Sequence, residues 1–304
     1  MPWAPVAVFA YNRVEHLKKT LRALEENTIA KESDIYLFID GYKNKTDKTS
    51  VENVRVLGDY YKTSNNFRSF VVYKKNTNEG LAVSIIKGVT DILQGYGKVI
   101  VLEDDIVTSK DFLQFMNDAL EYYENIDKIW SISGFTFDLP SLKNISEDVY
   151  LGYRASSWGW ATWNNRWETV DWNISDYNKF RYNLSLRNKL NRGGTNMANM
   201  LDRQMAGEIN SWAIRWCYAQ SMQDKFTIFP CKSKVINIGQ DGTGTHSNTF
   251  DQYTSSSFGE NSYKLVFPSM NKIIIREFKM RAGLKLTSRI KRYFYYNVLH
   301  RERS

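Results

Sequence analysis

The sequence predicts an α/β protein: a Rossmann-like, mostly parallel sheet flanked by helices and followed by a basic helical tail. Three observations point there. Apolar runs rich in β-branched and aliphatic residues recur at 5–11, 35–39, 70–73 and 99–102, as expected of strands covered on both faces. Between them lie segments with apolar residues at helical spacing. Strands alternating with helices make βαβ units and hence a parallel sheet. With 304 residues the chain can bury one large core, or a main domain with an appendage.

Taken in order, Pro5–Tyr11 reads as the first strand, and the helix after Asn12-Arg13 carries Leu17, Leu21 and Leu24 on one face. Ile35–Ile39 is the second strand and ends at Asp40-Gly41. A polar stretch to Lys48 precedes a helix over Val51–Tyr61. Phe70–Tyr73 is the third strand, and Asn78-Glu79-Gly80 opens a helix over Leu81–Leu93. The fourth strand ends at Glu103-Asp104-Asp105. Asp111–Tyr123 reads as helix and Ile129–Phe135 as strand. Residues 150–172 are dominated by aromatics, Trp158, Trp160, Trp163, Trp167 and Trp172 among them, and 173–208 read as loops and short helices. Ser211–Gln223 is a helix, Thr227–Pro230 a short strand, and 239–262 a Gly/Ser/Thr-rich loop. There is no GxGxxG after the first strand and no GxxxxGK[ST] anywhere, against a dinucleotide Rossmann domain or a P-loop ATPase.

The net charge of +8 is unevenly placed. Residues 276–304 hold nine Lys or Arg against Glu277 and Glu302, so +7 lies in the tail. Aliphatic and aromatic residues are interleaved there, including Ile290, Tyr293, Phe294, Tyr295 and Tyr296. That mixture suits contact with an anionic membrane surface, and equally a terminal helix packed on the body with a solvated basic face. Nucleic acid is not the expected partner, because the rest of the chain has no basic groove. Cys217 and Cys231 have neither metal-ligand nor disulfide-framework spacing. No stretch reaches the roughly 18 apolar residues of a membrane span, and the N-terminus lacks a signal-peptide n-region. The expected location is cytoplasmic, with peripheral contact on the inner membrane face.

The acid triplet Glu103-Asp104-Asp105 is the sharpest feature. Three carboxylates at the end of an apolar strand repel one another and resist desolvation, so a positive group is expected among them. Ligands of open α/β sheets bind at the carboxyl ends of strands. A divalent cation held by carboxylates and substrate phosphates fits that place, although strand-end acids are often only solvated turn residues. Arg13 lies just past the first strand, where its guanidinium could take a phosphate, and Asp40 ends the second. Trp158, Gly159 and Trp160 suggest a sugar-stacking pocket or, as plainly, an aromatic core. His246 sits in a Gly-rich loop that could act as a lid or simply be exposed. Glu208, Asp202 and Asp171 are candidate general bases, none marked out by pattern.

Together, AYNR at 10–13, Asp40, NEGLA at 78–82, LEDD at 102–105 followed by DFLQFMNDAL, SSWGWATW at 156–163, Trp167, SWAIRW at 211–216 and NIGQDGTGTH at 237–246 form an ordered set. The chain resembles the GT-A-fold glycosyltransferases, and within them bacterial relatives of the N-acetylglucosaminyltransferase I family, over about residues 5–250. The resemblance implies that 1–268 is the transferase domain, with a nucleotide-sugar-binding half (1–106) and an acceptor-binding half (107–268), and that 269–304 is the tail. It implies an inverting transfer from a nucleotide-diphosphate sugar, foremost a UDP-sugar, to a saccharide or lipid-linked saccharide in bacterial surface polysaccharide synthesis. Arg13 would contact the donor diphosphate, Asp40 the nucleobase, and Glu103 and Asp104 the ribose and sugar. Asp105 would ligate a divalent ion, Mn²⁺ with Mg²⁺ as the alternative. Trp158, Gly159, Trp160, Trp212 and His246 would line the acceptor or sugar pocket. Relatives tend to carry an Asp just before the tryptophan that is Trp212 here; this chain has Asn210 and Ser211. An amide cannot take a proton near neutral pH, so Glu208 becomes the expected base. A sugar-phosphate nucleotidyltransferase, or a non-catalytic carbohydrate-binding protein of the same fold, are the alternative readings. The first would want a Gly-rich basic loop after the first strand, where Tyr11-Asn12-Arg13 stands.

Overall fold

The computed structural model describes residues 3–239, 258–283 and 286–297. Its first half is a run of βα units: β1 (Val6–Ala10), α1 (Val14–Glu25), β2 (Asp34–Ile39), α2 (Lys48–Thr63), β3 (Ser69–Lys74), α3 (Leu81–Tyr96) and β4 (Lys98–Glu103). After β4 come β5 (Ile106–Thr108), α4 (Phe112–Tyr123), β6 (Ile129–Ser133), β7 (Val149–Gly152) and β8 (Trp160–Trp163). Five helices follow: α5 (Asn164–Trp167), α6 (Tyr177–Arg181), α7 (Leu184–Leu190), α8 (Met197–Met205) and α9 (Trp212–Met222). Then come β9 (Phe226–Pro230), β10 (Val235–Asn237), α10 (Lys272–Arg281) and α11 (Leu286–Asn297).

Eight strands form one sheet in the order β3-β2-β1-β4-β8-β6-β9-β7. The β3-β2-β1-β4 stretch is parallel throughout. β8 runs antiparallel to both of its neighbours, β6 and β9 are parallel, and β7 returns antiparallel at the far edge. The α/β class expected from the strand–helix alternation is thus the class observed. The expected strand at Ile129–Phe135 stops two residues early, at Ser133. The strands β7 and β8, and a two-stranded antiparallel ribbon of β5 and β10, are additions to that expectation.

Side chains alternate across the sheet because a strand repeats every two residues. Val6, Val8 and Ala10 join Ile35, Leu37 and Ile39 beneath α1, α2 and α4, where Leu17, Leu21, Val51, Val54 and Phe115 are fully buried. Ala7, Phe9, Tyr36 and Phe38 face the other way, onto Ile85, Val89 and Ile92 of α3. Phe9, Phe38 and Tyr73 stack in series at 4.9 Å centroid spacing. At Gly88 of α3 a Cβ would lie 2.8 Å from the Phe9 ring, so the missing side chain lets the helix settle on the stack. The helix stops at Gly97, which takes φ +73 and returns its N–H to Leu93, a left-handed cap that suits glycine.

The tail is helical, as its composition suggests. α10 buries Ile274 and Phe278, the latter edge-on to Phe137 and Phe229, and Glu277 accepts from the Ser141 amide and hydroxyl. α11 packs beside α8, with Arg187 over the Tyr293 ring at 5.0 Å. Ile273, Met280, Ile290 and Phe294 remain exposed.

Candidate functional site

The register between parallel neighbours decides what meets at the carboxyl edge of the sheet. Phe9 of β1 lies opposite Glu103 of β4, so the residues just after each strand emerge side by side. Arg13 opens α1 from that edge, and its Nη2 donates to Asp104 Oδ1 at 2.7 Å and to Asp105 Oδ2 at 2.6 Å. One guanidinium nitrogen therefore clamps both acids. Two backbone tethers fix the turn: Thr20 of α1 donates its hydroxyl to the Asp104 carbonyl, and Ile238 its amide to the Asp105 carbonyl. The second tether comes from the end of β10, which pairs with β5 through Asn237 and Ile106.

Two polar atoms of this cluster are buried without a hydrogen-bond partner: Arg13 Nη1 and Asp105 Oδ1. Leaving such groups unsatisfied costs about 1–3 kcal/mol each, more when charged. Three carboxylates face a single guanidinium, so the cluster holds an excess of negative charge. Burial and the neighbouring Asp105 push the Asp104 carboxyl up to about 6, although Arg13 pulls the other way. Burial, Asp105 and Asp104 likewise raise Glu103 well above the usual carboxylate range. For Arg13, burial opposes the charge but the two aspartates outweigh it, so the guanidinium is held firmly protonated. Among the described residues no group of three or more His, Cys, Asp or Glu side chains forms a complete metal cage. The free Oδ1 of Asp105 and the excess negative charge still fit a hard cation that takes the rest of its ligands from substrate oxygens.

Asp40 stands at the same edge but is committed to the backbone. Its Oδ1 accepts from the amides of Gly41 and Glu79, and its Oδ2 from that of Gly80. Asn78 adds a bond to the Gly41 carbonyl, so Asp40 and Asn78 lock the loop after β2 to the start of α3. Asp40, expected to contact the nucleobase, is here seen holding together the loops at that edge. Tyr11 reaches over the same loop, donating to Asp47 Oδ2 at 2.7 Å and accepting from the Lys43 amide.

The tryptophan segment divides. Trp160 and Trp212 are 1% and 4% exposed and stack on each other at 5.0 Å, within a cluster that includes Trp167 and Trp216. They belong to the core on the α3 face of the sheet, where no ring face is open to a saccharide. Gly159 takes φ +57, and a Cβ there would come within 2.8 Å of Val235 and 3.3 Å of Leu102; its value is close packing. Of the tryptophans expected to line the pocket, Trp158 is the least buried one. It is half-buried, edge-on to Phe135 at 4.7 Å, and lines a cavity of about 210 Å³.

The candidate bases are also separated. Asp202 is buried in a two-pronged pair with Arg187, and Asp171 accepts backbone amides in its own turn. Glu208 is exposed between α8 and α9, pairs with Arg203 and accepts from the Tyr296 hydroxyl at 2.6 Å. Ser211 caps α9 by accepting from the Ile214 amide. His246 lies outside the described residues.

Gly239 is the residue whose contribution sequence reasoning left unread. It is buried against the acid cluster, and a Cβ there would overlap Asp105 Oδ2 and approach Arg13 Nη1 to 2.9 Å. The NIG run carried a signal, a glycine directly after a strand, but nothing local said which side chain it would face. Arg154, which lines the Trp158 cavity, was likewise unmarked.

No protein-family model matches the chain, and no curated protein does. Several solved structures are similar over part of their length. The mannosyltransferase PcManGT from Pyrobaculum calidifontis, in complex with GDP-Man and Mn²⁺, is similar at 11% identity and TM-score 0.38, over 54% of this chain and 46% of that one. GalNAc-T7 with UDP, GalNAc and Mn²⁺ is similar at 11% identity and TM-score 0.48, over 75% and 43%. A cytidylyltransferase from Leptospira borgpetersenii is similar at 13% identity and TM-score 0.34, over 56% and 64%. The chain thus spans less than two thirds of the length of each of these proteins.

Proposed function

We propose that the chain is a GT-A-type glycosyltransferase that takes a nucleotide-diphosphate sugar together with a divalent cation, Mn²⁺ first and Mg²⁺ second. One observation carries the reading. At the carboxyl edge of parallel strands, buried Asp105 and half-buried Arg13 each keep one buried polar atom unpaired, Oδ1 and Nη1. A diphosphate bridged to a cation would satisfy both atoms at once, the cation on Asp105 and a phosphate oxygen on Arg13. The cation would supply charge neutralisation for the departing nucleoside diphosphate.

The protein's own residues do the rest. Arg13 holds and orients the diphosphate, Glu103 and Asp104 shape the wall beside the sugar, and Gly239 closes the site over Asp105. In the inverting transfer we favour, an acceptor hydroxyl attacks the anomeric carbon in line while a carboxylate takes its proton, and Glu208 is the residue proposed for that role. The acceptor proposed is a saccharide or lipid-linked saccharide of bacterial surface polysaccharide synthesis, met at an anionic membrane surface. The basic and apolar outer side of α10 and α11 supports that setting. No helix among the described residues is long and apolar enough to cross a membrane.

The test is a panel of nucleotide sugars incubated with the protein and Mn²⁺, read as release of nucleoside diphosphate. One donor should be turned over, slowly with water and faster with acceptor, and chelator or Asp105→Asn should abolish the release. Undiminished release in that variant would sink the assignment, and pyrophosphate formed from a nucleoside triphosphate would favour a nucleotidyltransferase instead.

A further inference from the structure

The cavity beside Trp158 has a composition of its own. Its walls are mostly apolar, with Phe135, Phe137, Phe229, Phe278, Met197 and Met200 among them; Ser156 and Ser157 are polar members and Arg154 the charged one. At about 210 Å³ it is smaller than a whole drug-sized ligand needs, so it suits part of a larger molecule. Met197 and Met200 are unbranched and adaptable, and fit a flexible hydrocarbon better than a rigid ring.

Arg154 makes the cavity selective. It is half-buried, donates from Nη1 to Asn196 Oδ1 at 3.1 Å, and lies 4.0 Å from the Met200 sulfur. No carboxylate among the described residues pairs with it, whereas Arg13, Arg187 and Arg192 all have one. A half-buried guanidinium facing an amide oxygen and a thioether keeps its charge uncompensated and can take an anion from outside. The backbone leaves room for it: a Cβ at Gly194 would sit 3.0 Å from Arg154 Nη1, and one at Gly193 2.9 Å from its Cβ.

The surroundings give the ligand a direction. Trp158 marks the inner end, since the adjoining Gly159 packs on Leu102, one residue before Glu103. Phe278 is contributed by α10, the helix whose other side exposes Ile273, Arg276 and Met280. The cavity thus shares a wall with the helix that carries the basic, apolar face of the tail.

We infer that this cavity binds an isoprenoid or acyl phosphate, with the hydrocarbon among the Phe and Met side chains and the phosphate on Arg154. This deepens the glycosyltransferase reading by naming the lipid part of its acceptor.

Binding of farnesyl phosphate, farnesol and inorganic phosphate is measured by calorimetry on the full chain, without donor or metal. A loss of metal-dependent donor turnover therefore leaves the result intact, and a failure here leaves the donor site standing. Farnesyl phosphate should bind at one site. Arg154→Met should weaken it on the order of ten- to a hundred-fold, the range for a lost charged hydrogen bond, while leaving farnesol unchanged. Ala213→Trp, filling the cavity from α9, should weaken both lipids, and Ala213→Leu serves if the larger side chain prevents folding. Equal affinity for farnesol and farnesyl phosphate, phosphate binding without a hydrocarbon requirement, or indifference to the Ala213 substitutions would each overturn the inference.

Discussion

Arg13 is the residue on which the acid cluster depends. It offers one nitrogen to two buried aspartates, and no second cation shares the task within the described cluster. Removing one partner from a buried ion pair leaves uncompensated charge and costs about 3–5 kcal/mol. Arg13→Met should therefore lower the melting temperature of the metal-free protein. Added Mn²⁺ should restore more stability to this variant than to the parent, because the cation then takes over the neutralisation; calorimetry with and without Mn²⁺ checks both. Trp216, fully buried among Trp130, Trp160 and Trp167, makes the opposite kind of contribution. Trp216→Ala should cost about 3–5 kcal/mol by denaturant titration, through cavity formation. Much at this scale was legible: the acids and Arg13 were adjacent to strand ends, and strand ends of a parallel sheet converge. A core role for Trp160 was one of two readings, but its partner Trp212 was not legible, because a stack between a strand and a helix fifty residues on leaves no mark in either segment.

At the scale of the element, the β2–β3 edge shows how a surface pair is wired. Asp34 opens β2 and accepts from Arg68 and Ser69, which lead into β3. Arg68 foremost, then Ser69, hold its carboxyl below the usual range against the pull of burial. A depressed carboxyl stabilises the fold above its unfolded value near 3.9, and that stability fades as pH falls through the lower folded value. Since Arg68 is 47% exposed, solvent screening limits the effect to about 1 kcal/mol. Asp34→Asn should be less stable than the parent at pH 7 by that amount, and urea titrations should show the gap closing below about pH 4. The β5–β10 ribbon acts at a different point. Because it presses Gly239 against Asp105, Gly239→Ala should weaken Mn²⁺ binding by about 10–100-fold, the range for a disturbed supporting contact, measured by metal titration. Apolar runs marked β1, β2, β3 and β4 clearly. They could not mark β8, whose WATW is aromatic and short, nor the ribbon, whose partners are over a hundred residues apart.

The eight-stranded sheet has a reversal at its centre, and this bears on how the chain assembles. The stretch β3-β2-β1-β4 is built from consecutive units and can pair as soon as residue 103 exists. Beyond it nothing is sequential. β8 must enter between β4 and β6, and β9 between β6 and β7, so β7 has no neighbour until Pro230 has been made. Loop-closure entropy is spent before such distant pairs return any stability, which slows folding. The order of β8 and β9 therefore gives the chain two kinetic halves: an early one that carries Arg13 and the acids, and a late one that carries the Trp158 cavity. A ribosome-bound chain stopped before β9 would hold Arg13 and the acids on neighbouring strands without the Ile238 tether or Gly239, with β7 still an open edge for other strands to join.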